Sequence, residues 1–181
     1  CNGDRYNLTG VLNKTKLGMA SALSTKESSK VAKCIEKDIA YIEAKTDPGN
    51  KKGYRIEALA TDPGTEFQGA VTELKANRKM VSRTGETDRH TDQSYVENRN
   101  GMLQLAGTAM LITATGDNVD VYTDMLGLQC IKWANECINH TSITAKQKEA
   151  NITAHNEQYG GDETLQTAHG IPIHTFGELC Y

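Results

Sequence analysis

No run of eighteen apolar residues occurs in the 181-residue chain, which leaves no candidate for a membrane-spanning helix. No basic flank followed by an apolar stretch opens it, so no signal-peptide pattern is present. No Cys-x-x-Cys pair and no His/Cys cluster has zinc-site spacing, and neither metal nor organic cofactor is expected. A clustered basic face is also missing. With a net charge of −3, the chain reads as neither a nucleic-acid binder nor a membrane partner. The same mild acidity weighs against electrostatic steering onto anionic polymers.

The residues that are present define an ordinary globular chain. A hydrophobic content of 38% supports one core, and 24% charged residues set the chain apart from disordered compositions. One domain over residues 1–181 is expected, with an irregular arm over 1–25 rich in Gly, Asn, Thr and Ser. The start at Cys1 fits a processed, exported product, with a lipoprotein as the other reading. Five cysteines (Cys1, Cys34, Cys130, Cys137, Cys180) then imply one or two disulfides and a leftover thiol. Cys130 and Cys137 on one helix stand roughly 10 Å apart, too far to bridge each other. Sequons at Asn7, Asn13, Asn139 and Asn151 add weak support for secretion.

Apolar spacing of three and four predicts a helix from Lys26 to Lys45, carrying Val31, Cys34, Ile35, Ile39 and Ile42 inward. Asp47-Pro48-Gly49-Asn50 ends it. Tyr54 to Ala60 reads as a short helix or turn closed by Asp62-Pro63-Gly64. Thr65 to Arg83 reads as one long helix with Phe67, Val71, Leu74 and Met80 inward. Gly85 to Gly101 is too polar for core and predicts a small hairpin or irregular lobe. Helices follow over Met102–Thr113, Asn118–Asn139 and Thr144–Glu157, the last ended by Gly160-Gly161. The tail from Leu165 to Tyr181 is ambiguous.

Three segments in order carry a resemblance. Gly101-Met102-Leu103-Gln104-Leu105 with Gly107-Thr108-Ala109 is similar to the G-L-M-Q-L…G-T-A segment of lytic transglycosylases. Ile152-Thr153-Ala154-His155-Asn156 before Gly160-Gly161 resembles their A-Y-N-A-G segment. Ser82-Arg83-Thr84-Gly85-Glu86-Thr87 resembles the S-R-E-S stretch that bears the catalytic glutamate, and Glu86 stands 18 residues before Gln104. The chain thus resembles the goose-type lysozymes and their transglycosylase relatives over roughly residues 1–165. His155 replaces the motif tyrosine, and Leu105-Ala106 stand where the goose type has an aspartate. In an ungapped alignment Thr84 takes the catalytic place instead of Glu86.

The resemblance implies an α+β, mainly α, lysozyme-like fold: a helical body around the Trp133 helix, and a cleft against a polar lobe near residues 85–101. It implies a secreted, monomeric muramidase with antimicrobial action, cleaving peptidoglycan or chitin-type oligosaccharides. Such chemistry needs a carboxylic acid held protonated, with Glu86 as that general acid. A second carboxylate would activate water, and Glu97 is the candidate, with Asp92 and Asp88 behind it. Without it, a sugar hydroxyl would attack, as in the transglycosylases. Gln104, Met102, His155 and Asn156 would contact sugar. Each also has a plain reading: surface acids for Glu86 and Glu97, core for Met102 and Trp133, and a backbone-bonded ring for His155. Two other classes stay open: a non-catalytic wall- or sugar-binding relative, and an unrelated helical surface protein.

Overall fold

The computed structural model describes residues 4–44, 55–84, 90–141 and 144–160. The described residues are α+β and mainly α, with six helices and two small sheets. The first departure from expectation is the arm. Tyr6–Val11 (β1) and Gly18–Leu23 (β2) form an antiparallel hairpin, registered from Tyr6 against Leu23 to Val11 against Gly18. Gly10 and the small side chains of β2 dilute the alternation that would have announced these strands.

Ser28–Ala44 (α1) follows closely the predicted span. Val31, Ala32, Ile35, Ile39 and Ile42 are its buried face. Part of that face packs with Leu23 of β2, Met80, and Ala70 and Leu74 of Thr65–Arg78 (α2). Ile39 and Leu74 are 3% and 2% exposed, so each contributes about 1.5–3 kcal/mol of burial. The helix predicted to reach Arg83 ends sooner. Lys79 takes a left-handed φ of 55° and its amide bonds the Lys75 carbonyl, which closes α2. Met80 then drops into the core. Val81–Thr84 (β4) runs parallel to Ala58–Thr61 (β3), where a turn or short helix was expected. A parallel pair needs a crossover, and α2 supplies it.

The second departure is the polar lobe. Residues from His90 on are helical and continuous with the apolar segment after Gly101, giving one helix, His90–Thr115 (α3). No lobe and no body–lobe cleft forms from residues 90–101. After a short turn at Gly116–Asn118, Val119–Asn139 (α4) packs along α3. Leu103, Ala134 and Ile138 form their buried seam. Gly107 lets them approach, since a Cβ there would stand 3.2 Å from Ile131 Cγ1.

The predicted Thr144–Glu157 helix is two helices, Ala145–Glu149 (α5) and Ala154–Tyr159 (α6). Thr144 and Gln147 close a capping box on α5, each side chain bonding the other's backbone amide at 3.1 Å. Asn151, at a left-handed φ of 52°, lies in the break. Gly160, at φ 76°, ends α6 as the sequence indicated.

The expected disulfides are corrected. Cys34, Cys130 and Cys137 are free thiols, and Cys1 and Cys180 lie outside the described residues. Burial pushes all three thiols above their ordinary range. The Asn139 sequon is 4% exposed and lies in the interior, out of reach of a glycan.

Candidate functional site

A cavity of about 790 Å³ runs between the hairpin and the β3–β4 pair. Its lining includes two uninterrupted runs, Leu8–Asn13 along β1 and Ala58–Asp62 along β3. Both strands border the cavity, and among the described residues no ladder pairs β1 with β3. Ile35, Asp38 and Ile39 of α1 line it at one-turn spacing, and Tyr95, Val96, Glu97 and Asn100 of α3 line it from another side.

Among the described residues, three carboxylates reach this space: Asp38, Asp62 and Glu97. Asp38 is already engaged, with the Ser21 hydroxyl 2.9 and 3.1 Å from its two oxygens. Burial pushes its carboxyl above the ordinary range, against the opposing pull of the Ser21 bond and Lys37. Asp62 and Glu97 are exposed. Asp62 stands at the C-terminal end of β3, directly before the turn into α2. That turn is pinned by Phe67 and Gln68 amides on the Gly64 carbonyl, at 3.0 and 3.2 Å. The carboxyl ends of parallel strands are where open α/β sheets bind ligands.

Glu97 is oriented by its neighbour two residues on. A two-residue step turns an α-helix by about 200°, so Arg99 points away from the cavity into the protein. Arg99 is 4% exposed. Its Nη2 donates to Asn135 Oδ1 and Asn139 Oδ1, both at 2.6 Å, and to the Asn135 carbonyl at 3.1 Å. Both asparagines donate on to the Gly18 carbonyl, at 3.0 and 2.9 Å, and Asn139 Oδ1 accepts from the Gly18 amide at 2.8 Å. One guanidinium thus ties α3, α4 and β2 together. Burial holds it down to about 10, opposed by the charge of Glu136. A Cβ on Gly18 would collide with this guanidinium, so glycine is required there.

Beside Glu97, the Tyr95 ring carries the Lys16 ammonium 3.3 Å above its centroid. Lys16 sits in the β1–β2 loop, and its Nζ also donates to Asn13 Oδ1 at 2.7 Å.

The residues predicted to act are not brought together. Glu86 and Asp88 lie outside the described residues, and Asp92 is in α3. Glu97 lines the cavity; Met102, Gln104, His155 and Asn156 do not. Gln104 is exposed on α3, and Met102 packs against the α3–α4 seam. His155 is buried, stacked on His140 with centroids 4.4 Å apart and edge-on to Tyr159 at 4.8 Å. Asn156 lies in the first turn of α6, where its backbone N–H donates to the Thr153 Oγ1 cap at 3.1 Å. Sequence reasoning passed over Asp62, because Asp-Pro-Gly reads first as a helix stop. The available signal was an acid closing a short apolar run just before a helix.

No protein-family model and no curated protein sequence matches the chain. Solved structures do. The catalytic core domain of HTLV-2 integrase, in complex with magnesium, superposes with a TM-score of 0.55 at 12% identity, over 84% of this chain and 92% of that one. The catalytic core domain of BIV integrase gives 0.56 at 17% identity, over 90% and 86%. The lysozyme-like expectation is therefore corrected. Of the three segments behind it, residues 101–109 lie in one uninterrupted helix, residues 154–156 open a capped short helix, and residues 82–84 lie on β4, with residues 85–87 outside the described residues. The muramidase activity, the peptidoglycan or chitin partner, and the exclusion of nucleic acid fall with it. The described chain has the fold of a retroviral integrase catalytic core.

Proposed function

We propose that the chain is a nucleic-acid-acting domain whose Asp62 and Glu97 carboxylates form a divalent-cation-dependent phosphoryl-transfer centre. One observation carries this reading: two acids from separate elements line one cavity, in a chain with an integrase-core fold. The HTLV-2 integrase core is a magnesium complex, and the donor set here fits that ion. Carboxylate oxygens are hard ligands, and magnesium is commonly held by one or two carboxylates together with substrate phosphate and water. Among the described residues no group of three or more His, Cys, Asp or Glu side chains stands together, so phosphate and water would complete the shell.

When bound, the cation would polarise a phosphoryl oxygen and lower the pKa of attacking water. The chain's own residues do the positioning. The β3 end and the pinned turn hold Asp62 from one side. The Arg99 anchor turns Glu97 in from the other. Asp38, occupied by Ser21, stays out of the exchange.

The test is nicking and strand joining of a labelled DNA duplex with magnesium or manganese. Wild-type protein should act only with the cation. Asp62→Asn and Glu97→Gln should each lower the rate by about 10²-fold or more. Full activity in both variants, or no activity in folded wild type, would sink the proposal.

A further inference from the structure

We propose that Lys16 and Tyr95 form a docking point for a nucleic-acid single strand at the rim of the carboxylate cavity, with Lys16 on a phosphate and Tyr95 under a base. The inference rests on the nucleic-acid reading above and adds the residues that would hold the strand.

Tyr95 is a large ring left 45% exposed, on the turn of α3 that also carries Glu97. Both residues line the cavity. Exposed aromatic rings are stacking platforms for bases, because every base offers a π face. Lys16 brings a cation to the same spot, and no ion pair among the described residues neutralises it. The described ion pairs join Arg78 to Glu36 and Glu43, and neither involves Lys16. An ammonium has three donors, and the bond to Asn13 uses one.

The placement is built rather than incidental. Lys16 holds a left-handed φ of 60°, a costly conformation for a residue with a Cβ. Its amide closes the loop on the Leu12 carbonyl at 2.8 Å. The preceding residue, Thr15, is 1% exposed and is clamped from the C-terminal helices. Gln147 Nε2 donates to its carbonyl at 2.8 Å, and its hydroxyl donates to Gln158 Oε1 at 3.1 Å. A surface lysine normally wanders among rotamers, and ordering it costs entropy. Here the loop, Asn13 and the Tyr95 ring bear that cost before any ligand arrives. A strand held at this pair would pass Glu97 next.

The experiment is fluorescence anisotropy with a labelled 12-nucleotide single strand, and with a blunt duplex as control, across a salt series. Wild type, Lys16→Gln, Tyr95→Leu and Tyr95→Phe are compared, with thermal denaturation of each. Lys16→Gln should weaken single-strand binding and reduce the slope of log affinity against log salt by about 0.7. Tyr95→Leu should weaken it roughly tenfold and Tyr95→Phe should keep it, because stacking needs the ring and not the hydroxyl. Altered melting with an unchanged salt slope and affinity would reduce the pair to a pin between loop and helix, and overturn the proposal. Wild type binding the strand while all variants bind equally would overturn it and leave the two-carboxylate reading standing. Failure of folded wild type to bind any nucleic acid would remove both.

Discussion

Removing the Arg99 side chain should loosen the described fold where three elements meet. Arg99→Ala leaves Asn135 Oδ1 without the donors it has from Nε at 3.2 Å and Nη2 at 2.6 Å. Asn139 Oδ1 keeps the Gly18 amide at 2.8 Å, so it is not orphaned. One buried orphan acceptor costs about 1–3 kcal/mol. The void left by the side-chain stem adds about 1–2 kcal/mol. Against this stands relief from burying a cation, since the fold holds the guanidinium down to about 10. A net loss of about 3 kcal/mol follows, within the range for breaking a buried polar network from one side. For a chain of this length that lowers Tm by roughly 6–12 °C. Arg99→Met fills the space and should lose less. Combining Arg99→Met with Asn135→Leu should cost less than the sum of the two, with a coupling of about 1–2 kcal/mol. Urea denaturation with a common m-value is the assay. A loss below about 1 kcal/mol in Arg99→Ala, or strict additivity in the double variant, would refute the brace. The same variant should bind magnesium more weakly, since Glu97 loses its orientation.

Two further predictions concern pH. Burial works to raise the Glu43 carboxyl, but the Arg78 bond at 2.8 Å, the Ile56 amide at 2.9 Å and the Arg78 and Arg55 charges prevail and hold it below 4.5. The bridge therefore contributes fully above about pH 4.5 and is lost as pH falls through the lower folded value. Arg78→Met should flatten the acid side of the stability profile measured by denaturant midpoint, and an unchanged profile would discount the bridge. Asp38 is shifted the other way, with burial raising it above 3.8. Its charged form opposes folding once pH passes its folded pKa, so Asp38→Asn should stabilise the protein at pH 7 and give no gain near pH 3. A loss at pH 7 would show that the Ser21 bond outweighs the buried charge.

Much of the helical framework was legible. The stripe through Val31, Ile35, Ile39 and Ile42 declared α1, and the Ile131–Ala134–Ile138 spacing declared α4. The first half of α3 was not, for a physical reason. Its inward stripe runs Val96, Arg99, Leu103, with a guanidinium where periodicity looks for an apolar side chain. Its other described positions from Ser94 to Gly101 face solvent and read as loop. The strands are four to six residues long and rich in Gly, Ala, Ser and Thr, too short and too small to stand out by alternation. Of the site, Glu97 was singled out, but as the water-activating carboxylate of a sugar-cleaving enzyme. Asp62 was hidden because Asp62-Pro63-Gly64 reads first as a stop signal, and an acid closing a four-residue strand is a faint one. Only the cavity joins the two.

The unpaired edges of β1 and β3 have a mechanical consequence. Asp62 rides on the β3–α2–β4 unit, and Glu97 rides on a block made of β1, β2, α3 and α4, riveted by Arg99. Among the described residues no ladder of backbone bonds joins the two units across the gap. Helix α1, packed against Leu23 on one side and Leu74 on the other, serves as the axle between them. The distance between the two acids is therefore a soft coordinate, governed by side-chain packing instead of by stiff strand pairing. Anything that bridges them would act as a fastener, trading that compliance for a closed and rigid jaw.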